Sequence, residues 1–328
     1  MTVLEATQST QPDAPEASDA LPPLRRRPWW QEMWRHKALY LMALPGIVYF
    51  IIFKYVPMGG LVIAFQDYSP FRGIGGSPWV GFEHFIRFFT EDTFIMLLTN
   101  TVVISLLLLV FAFPVPIILA LLLNEVRTRV FQRSIQTVIY LPHFMSWVIV
   151  VAIFQHMLGN AGLYNTWARA HDLPLLTIIG NPDLFIPLIT SQVIWKDAGW
   201  STIIFLAAMS RVDTQLYESV AVDGGGRWRQ LWHVTLPAIR PVIVLLLILR
   251  LGDVLSVGFE QIFLQQGPVG LDASEVLDTY VYNRGIVGGN WGVAAAVGLV
   301  KGLIGTILVL GANKVAHLFG ERGVYSKW

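Results

Sequence analysis

The chain has no cysteine, which excludes disulfides and thiolate metal sites. It is also poor in charge: 14% of its 328 residues are Asp, Glu, Lys or Arg, against about a quarter in soluble domains. Those charges nearly cancel, 23 basic against 22 acidic for a net +1, so the total implies no polyanion-binding body and no nucleic-acid partner. The histidines, at 36, 84, 143, 156, 171, 233 and 317, show neither His-x-x-x-His spacing nor a Glu-flanked pair, and no metal site is expected. Gly-x-x-x-x-Gly-Lys-Ser/Thr is missing too, so there is no P-loop to cradle nucleotide phosphates. What remains is apolar: 54% of the residues are hydrophobic, the composition of a chain that lives in a bilayer.

Six apolar runs recur, at Ala38 to Tyr55, Thr101 to Leu123, Ile135 to Leu158, Ile186 to Met209, Val242 to Phe263 and Val293 to Ala316. A helix needs about 20 residues to cross the hydrocarbon, a length the first run meets only narrowly. Backbone polar groups in lipid must pair within their own segment, so the expected class is an all-α integral membrane protein of six transmembrane helices. Placing the amino terminus inside puts about three times as many lysines and arginines on that side as on the other, which predicts that both termini are cytoplasmic. Residues 1–37 form the expected first region. Met1 to Pro23 read as a disordered cytoplasmic tail rather than a secretory signal, and Arg25, Arg26, Arg27, Trp29 and Trp30 as a headgroup contact. Residues 38–328 form the membrane body. Its outer loops hold Trp167, Tyr280, Tyr282 and Trp291, expected to anchor the interface rather than to bind a ligand.

One polar island interrupts the apolar pattern, ESVAVDGGGRWRQLWHVTLP from Glu218 to Pro237. Asp213 is placed to cap a helix running through Leu216 to Val222. The run Asp223, Gly224, Gly225, Gly226 ends that helix. A second helix then presents Trp228, Leu231 and Trp232 on one face until Pro237 breaks it and opens the next span. The expected product is a helix-turn-helix knuckle over residues 213–237, on the cytoplasmic surface.

These residues resemble the EAA signature of ABC importer permeases: Glu-Ala-Ala, two spacers, Asp-Gly, then an aliphatic-x-Leu-Pro ending. Glu218, Asp223, Gly224, Val234, Leu236 and Pro237 match in type and spacing. Ser219 and Val220 stand in place of the two alanines, and Gly225 where alanine is frequent, at the face expected to meet a partner. LPGIVYF at Leu44, Asn100-Thr101, Pro114, LLLNEVR at Leu121 and YLPHF at Tyr140 are similar to the sugar-importing subclass, so the likeness runs from Ala38 to the carboxyl end. It implies a type I importer permease, a non-enzymatic subunit that passes an oligo- or polysaccharide across the bacterial inner membrane, with alginate as the substrate the likeness raises. It further implies a second permease, two ATP-binding subunits carrying ATP and Mg, and an extracytoplasmic solute-binding protein, with no cofactor in this chain. The residues that it assigns to ATPase docking are Glu218, Ser219, Ala221, Asp223, Gly224, Gly225 and Trp228.

Charges at membrane depth are expensive and face a bundle interior or a pathway. Lys196, Asp197, Arg250, Asp253 and Lys301 are therefore candidates for a substrate path. Arg250 and Asp253, three apart, are expected to form a salt bridge, and neutralised structural pairs are the competing reading. Gly298 and Gly302 predict close helix approach within the chain, or to a partner permease. Pro114 and Pro116 predict a kink in the second span. A transporter or channel working alone would favour repeated broken spans, of which the two halves show no convincing sign. An intramembrane enzyme would need a fuller constellation than Lys196-Asp197.

Overall fold

Nearly all of the described chain, residues 36–321 and 323–325 of a computed structural model, is helix or turn; an isolated bridge joins Gln66 and Trp79. The headgroup contact expected at Arg25 to Trp30, and nearly all of the expected tail, lie outside the described residues. The chain divides into two units, the first ending at Gly59 and the second beginning at Gly60. In the first, α1 (Lys37–Phe50) runs with Pro45 inside it into a π-helical turn at Ile51–Tyr55 and a last turn at Val56–Gly59.

In the second unit, α2 (Glu83–Thr90) precedes α3 (Phe94–Leu107), which passes through a π turn at Leu108–Ala112 into α4 (Pro114–Asn124). The turn widens where the expected kink lies: the Phe113 amide donates to the Leu108 carbonyl, five residues back, at 3.0 Å. Pro114, which has no amide hydrogen to give, follows directly. The third expected span is not one helix. α5 (Arg129–Tyr140) gives way to a 3-10 turn at Leu141–Phe144, and α6 (Trp147–Leu158) starts afresh with the Ser146 hydroxyl accepting from the Ile149 amide. Pro142 removes a helical donor at the break.

α7 (Leu163–Ala170) leads to α8 (Pro182–Met209), whose 28 residues contain the whole of the fourth expected span. Then come α9 (Thr214–Val222), α10 (Arg227–Gln230) and α11 (Leu236–Gly252). The fifth expected span also ends early, because α11 stops at Gly252. Residues 253–258 are not helical, Gly258 takes φ +101°, and only then does α12 (Phe259–Phe263) begin. Short turns lead to α13 (Trp291–Leu318). Five helical stretches are long and apolar enough to cross a membrane: Lys37–Phe65, Phe94–Asn124, Trp147–Ala170, Arg227–Gly252 and Trp291–Leu318. α8 is long enough by residue count, but Gln192, Lys196 and Asp197 at its middle keep it outside that set.

Three apolar clusters hold the second unit together. Phe185 and Ile189 of α8 pack with Ile104, Leu108 and Ile262. Phe88, Leu97, Tyr280 and Val293 form a second cluster, and Phe205, Met209, Ala120 and Ile239 a third. Tyr280, expected at the interface, is therefore core. Its hydroxyl donates to Glu91, and burial first, then that carboxylate, raises its pKa above the usual phenol value while Arg284 opposes the rise. Gln192, Gln261 and Gln265, all buried, bond one another and tie α8 to α12.

Among the described residues, the close approach expected within the chain at Gly298 and Gly302 does not form, since a methyl group added at either meets open space. The backbone contact lies further along, where Gly305 of α13 rests on the Gly252 carbonyl. Past α13 the chain turns at Gly320 and folds back. Glu321 pairs with Arg240 of α11 at 2.8 Å, the Tyr325 amide donates to Asn313 at 3.1 Å, and His317 Nε2 meets the Tyr325 carbonyl at 2.8 Å.

Candidate functional site

The π turn after α3, α4, the broken third span, α8 and α11 line an open cavity of about 460 Å³. Its polar lining is Asp197 and Ser201 from α8, Arg250 and Asp253 from α11 and its end, and His143 from the 3-10 turn; Phe113 and Trp200 supply aromatic surface. Three of the five charges expected on a path thus face one space. The expected Arg250–Asp253 pair does not form: Asp253 lies past the last helical residue, with φ −102° and ψ 17°, so the i, i+3 geometry is lost. Arg250 makes no ion pair among the described residues.

The other two cations lie elsewhere. Lys196 is buried, and its ammonium donates to the His143 carbonyl at 2.8 Å, stands 3.9 Å from Asp197 and lies 5.4 Å from the centre of a Trp147 ring. It satisfies a carbonyl that the break at Pro142 leaves without a helical partner. Lys301 of α13 pairs with Asp278 in the turn before the last π segment. Both behave as neutralised structural cations.

Trp200 and His143 were not singled out by the sequence reading. Their rings stack, with centroids 4.7 Å apart and planes 6° apart, and His143 Nδ1 lies 2.9 Å from Asp197 Oδ1. The available signal was local: a histidine just after the proline that breaks a span, at the depth of a charged doublet on α8.

The knuckle forms as its residues dictate. Asp213 Oδ1 accepts from the Gln215 amide at 2.9 Å and starts α9, and Gly224, at φ +75°, ends it. The Gln230 amide group donates to the Tyr217 carbonyl at 3.1 Å, and the Tyr217 hydroxyl reaches Thr235 at 3.0 Å, folding α9 against the chain that follows. Arg227 pairs with Glu125 at 3.1 Å, fixing the knuckle to the end of α4. Glu218, Ser219, Ala221, Asp223, Gly224 and Trp228 all stand exposed and Gly225 half-buried. Val220, expected at the face that meets a partner, is half-buried and lies against Gly225: a Cβ on Gly225 would lie 2.5 Å from its Cγ1 and 2.8 Å from its carbonyl oxygen. Nor does Pro237 break the chain. α10 continues through a π turn at Leu231–Thr235 into α11: the Leu236 amide donates to the Leu231 carbonyl, and Pro237, which has no amide hydrogen to give, follows directly on that wider turn. Trp228 and Trp232 remain largely exposed.

Residues 112–319 match the family described as binding-protein-dependent transport system inner membrane component. The chain belongs to that family. The matched stretch contains the knuckle and every lining residue of the cavity but Leu108. The permease is 54% identical over 292 residues to the polygalacturonan/rhamnogalacturonan transport system permease protein YteP of Bacillus subtilis (strain 168), covering 89% of this chain and 91% of that one. It is 48% identical to protein LplB of the same organism, covering 90% and 94%. Its fold is similar to a chain of a bacterial alginate ABC transporter, solved in complex with an alginate pentasaccharide-bound periplasmic protein. The TM-score is 0.81 at 38% identity, over 90% of this permease and 99% of that chain. A second alginate-importing ABC transporter structure matches equally, covering 89% and 99%. The permease is thus a membrane subunit of a sugar ABC importer, residing in the inner membrane and acting as a transport component rather than an enzyme.

Proposed function

We propose that this permease passes an acidic oligo- or polysaccharide, of the uronate-rich type, through the cavity between α8 and α11. The observation that carries the reading is Arg250: a cation in the last turn of α11, lining the cavity and holding no carboxylate among the described residues. An arginine fork left open is suited to bidentate binding of a substrate carboxylate. The substrates named for the relatives, polygalacturonan and alginate, are uronate polymers, and alginate is one candidate. Asp253 and Asp197 share the lining, and Asp253, which makes no ion pair among the described residues, sets where an anion is admitted, by repulsion.

In the same reading, residues 1–37 are a cytoplasmic tail, 38–328 the permease body with both termini inside, and the loop 213–237 docks an ATPase. The exposed Glu218 meets a basic groove residue there, beside Ser219, Ala221, Asp223, Gly224, Gly225 and Trp228. A second permease completes the pore, two partner subunits bind ATP and Mg, and an extracytoplasmic binding protein delivers the saccharide. Closure of the ATPase pair moves the knuckles and shifts the helices between inward-open and outward-open states.

The test is charge selectivity in the reconstituted importer. Arg250→Met should cut delivery of a galacturonate trimer at least tenfold, and Arg250→Lys should restore part of it. Undiminished delivery by an assembled Arg250→Met complex refutes the acidic-substrate reading.

A further inference from the structure

Resting on that path, we propose that the stacked pair His143 and Trp200 is a saccharide-ring subsite, and that Lys196 and Asp197 are positioning residues which build it rather than contacts for the substrate. A pyranose presents a face of C–H groups that packs against an aromatic face, while its hydroxyls stay available for polar groups at the edge. The cavity offers both. Trp200 lines it with 43% of its surface open, His143 lies in parallel against it, and Phe144, outside the lining, packs edge-on to Trp200 at 83°.

Two consecutive residues of α8 hold His143 in place. Lys196 donates to its backbone carbonyl at 2.8 Å, and Asp197 takes its Nδ1 at 2.9 Å. With Nδ1 turned to Asp197, Nε2 has no partner among the described residues and is placed for a sugar hydroxyl. The lysine–aspartate doublet therefore fixes both backbone and ring at the point where the third span is broken. Specificity divides accordingly: Arg250 reads charge and the stacked rings read the sugar face, whatever the charge.

The experiment uses the whole importer in proteoliposomes with saturating liganded binding protein, and counts saccharide delivered per ATP hydrolysed. The probes are trigalacturonate and its methyl ester, which keeps the rings and loses the charge. Trp200→Leu should lower delivery of both about tenfold, with Trp200→Phe keeping most of it; Asp197→Asn, which retains an acceptor for Nδ1, should be mild. His143→Leu and Asp197→Leu should each lose as much as the double variant, because the two act as one unit. His143→Leu keeps the test decisive should Trp200→Leu not assemble. Wild-type delivery by assembled Trp200→Leu and His143→Leu complexes overturns the subsite, as does a Trp200→Phe complex no better than Leu. If Arg250→Met then still lowers delivery of trigalacturonate and leaves its methyl ester unaffected, the path stands and only the stacking is wrong; if all three variants are silent, the path itself falls.

Discussion

Val220 and Gly225 depart from the signature they resemble in opposite directions, one larger than alanine and one smaller, and the two departures meet. Val220 occupies the space that a methyl group at 225 would fill. Gly225→Ala should therefore cost about 1–3 kcal/mol of local strain and depress transport. Adding Val220→Ala should recover part of the loss, the remainder being the clash with the Val220 carbonyl; a transport assay on the two singles and the double reads the coupling. Gln192 offers a stability test at the same scale. Its carbonyl oxygen accepts from both Gln261 and Gln265 in a buried setting. Gln192→Leu leaves their donors short of a partner, at about 1–3 kcal/mol for each group left unsatisfied, and should lower the aggregation temperature of the purified complex in detergent. The Asp213 cap and the Gly224 turn were legible in the sequence because their chemistry is local. The orientation of Val220 was not, since it depends on where the chain goes after the turn.

At the scale of the element, the same division holds. Apolar runs announced their helices, but run length overstated continuity where Pro142 and Gly252 end a helix inside an apolar stretch. Asp253 then fell outside the register that would have paired it with Arg250. Pro237 misled in the opposite sense. A π turn absorbs it, so the knuckle and the span are one helical stretch from Arg227 to Gly252. The knuckle's exposed carboxylate supplies the element's own prediction. Glu218→Arg should leave membrane insertion intact, abolish transport and weaken co-purification of the ATPase; normal transport by that variant removes Glu218 from the docking face. The fastening at the knuckle's other edge is milder: Arg227→Ala, which breaks an exposed pair with Glu125, should lower stability by less than about 1 kcal/mol, measured by thermal melting.

For the molecule as a whole, composition alone placed the chain in a bilayer, and the order of Glu218, Asp223, Gly224 and Pro237 pointed to its family. The cavity was legible only in part. Charged residues at membrane depth stand out in any apolar run, so Asp197, Arg250 and Asp253 were found along with Lys196 and Lys301, which the fold neutralises elsewhere. His143 and Trp200 carry no such mark, being unremarkable until two distant segments meet. The folded-back end of the chain gives a prediction at this scale. Arg240 and Glu321 join α11 to the segment after α13, so Glu321→Arg should reduce saccharide delivered per ATP and Arg240→Glu/Glu321→Arg should restore it; no recovery in the swap argues against the pair. The helical stretch that begins in the knuckle also has a length. From Arg227 to Arg250 it measures roughly 35 Å at 1.5 Å per residue. A rigid tilt of about 10° at one end carries the other through roughly 6 Å, about one helical turn. If the knuckle docks an ATPase as proposed, a push on it arrives at the arginine as a displacement larger than the reach of a hydrogen bond, enough, on the proposed path, to take hold of a carboxylate in one state and release it in the other.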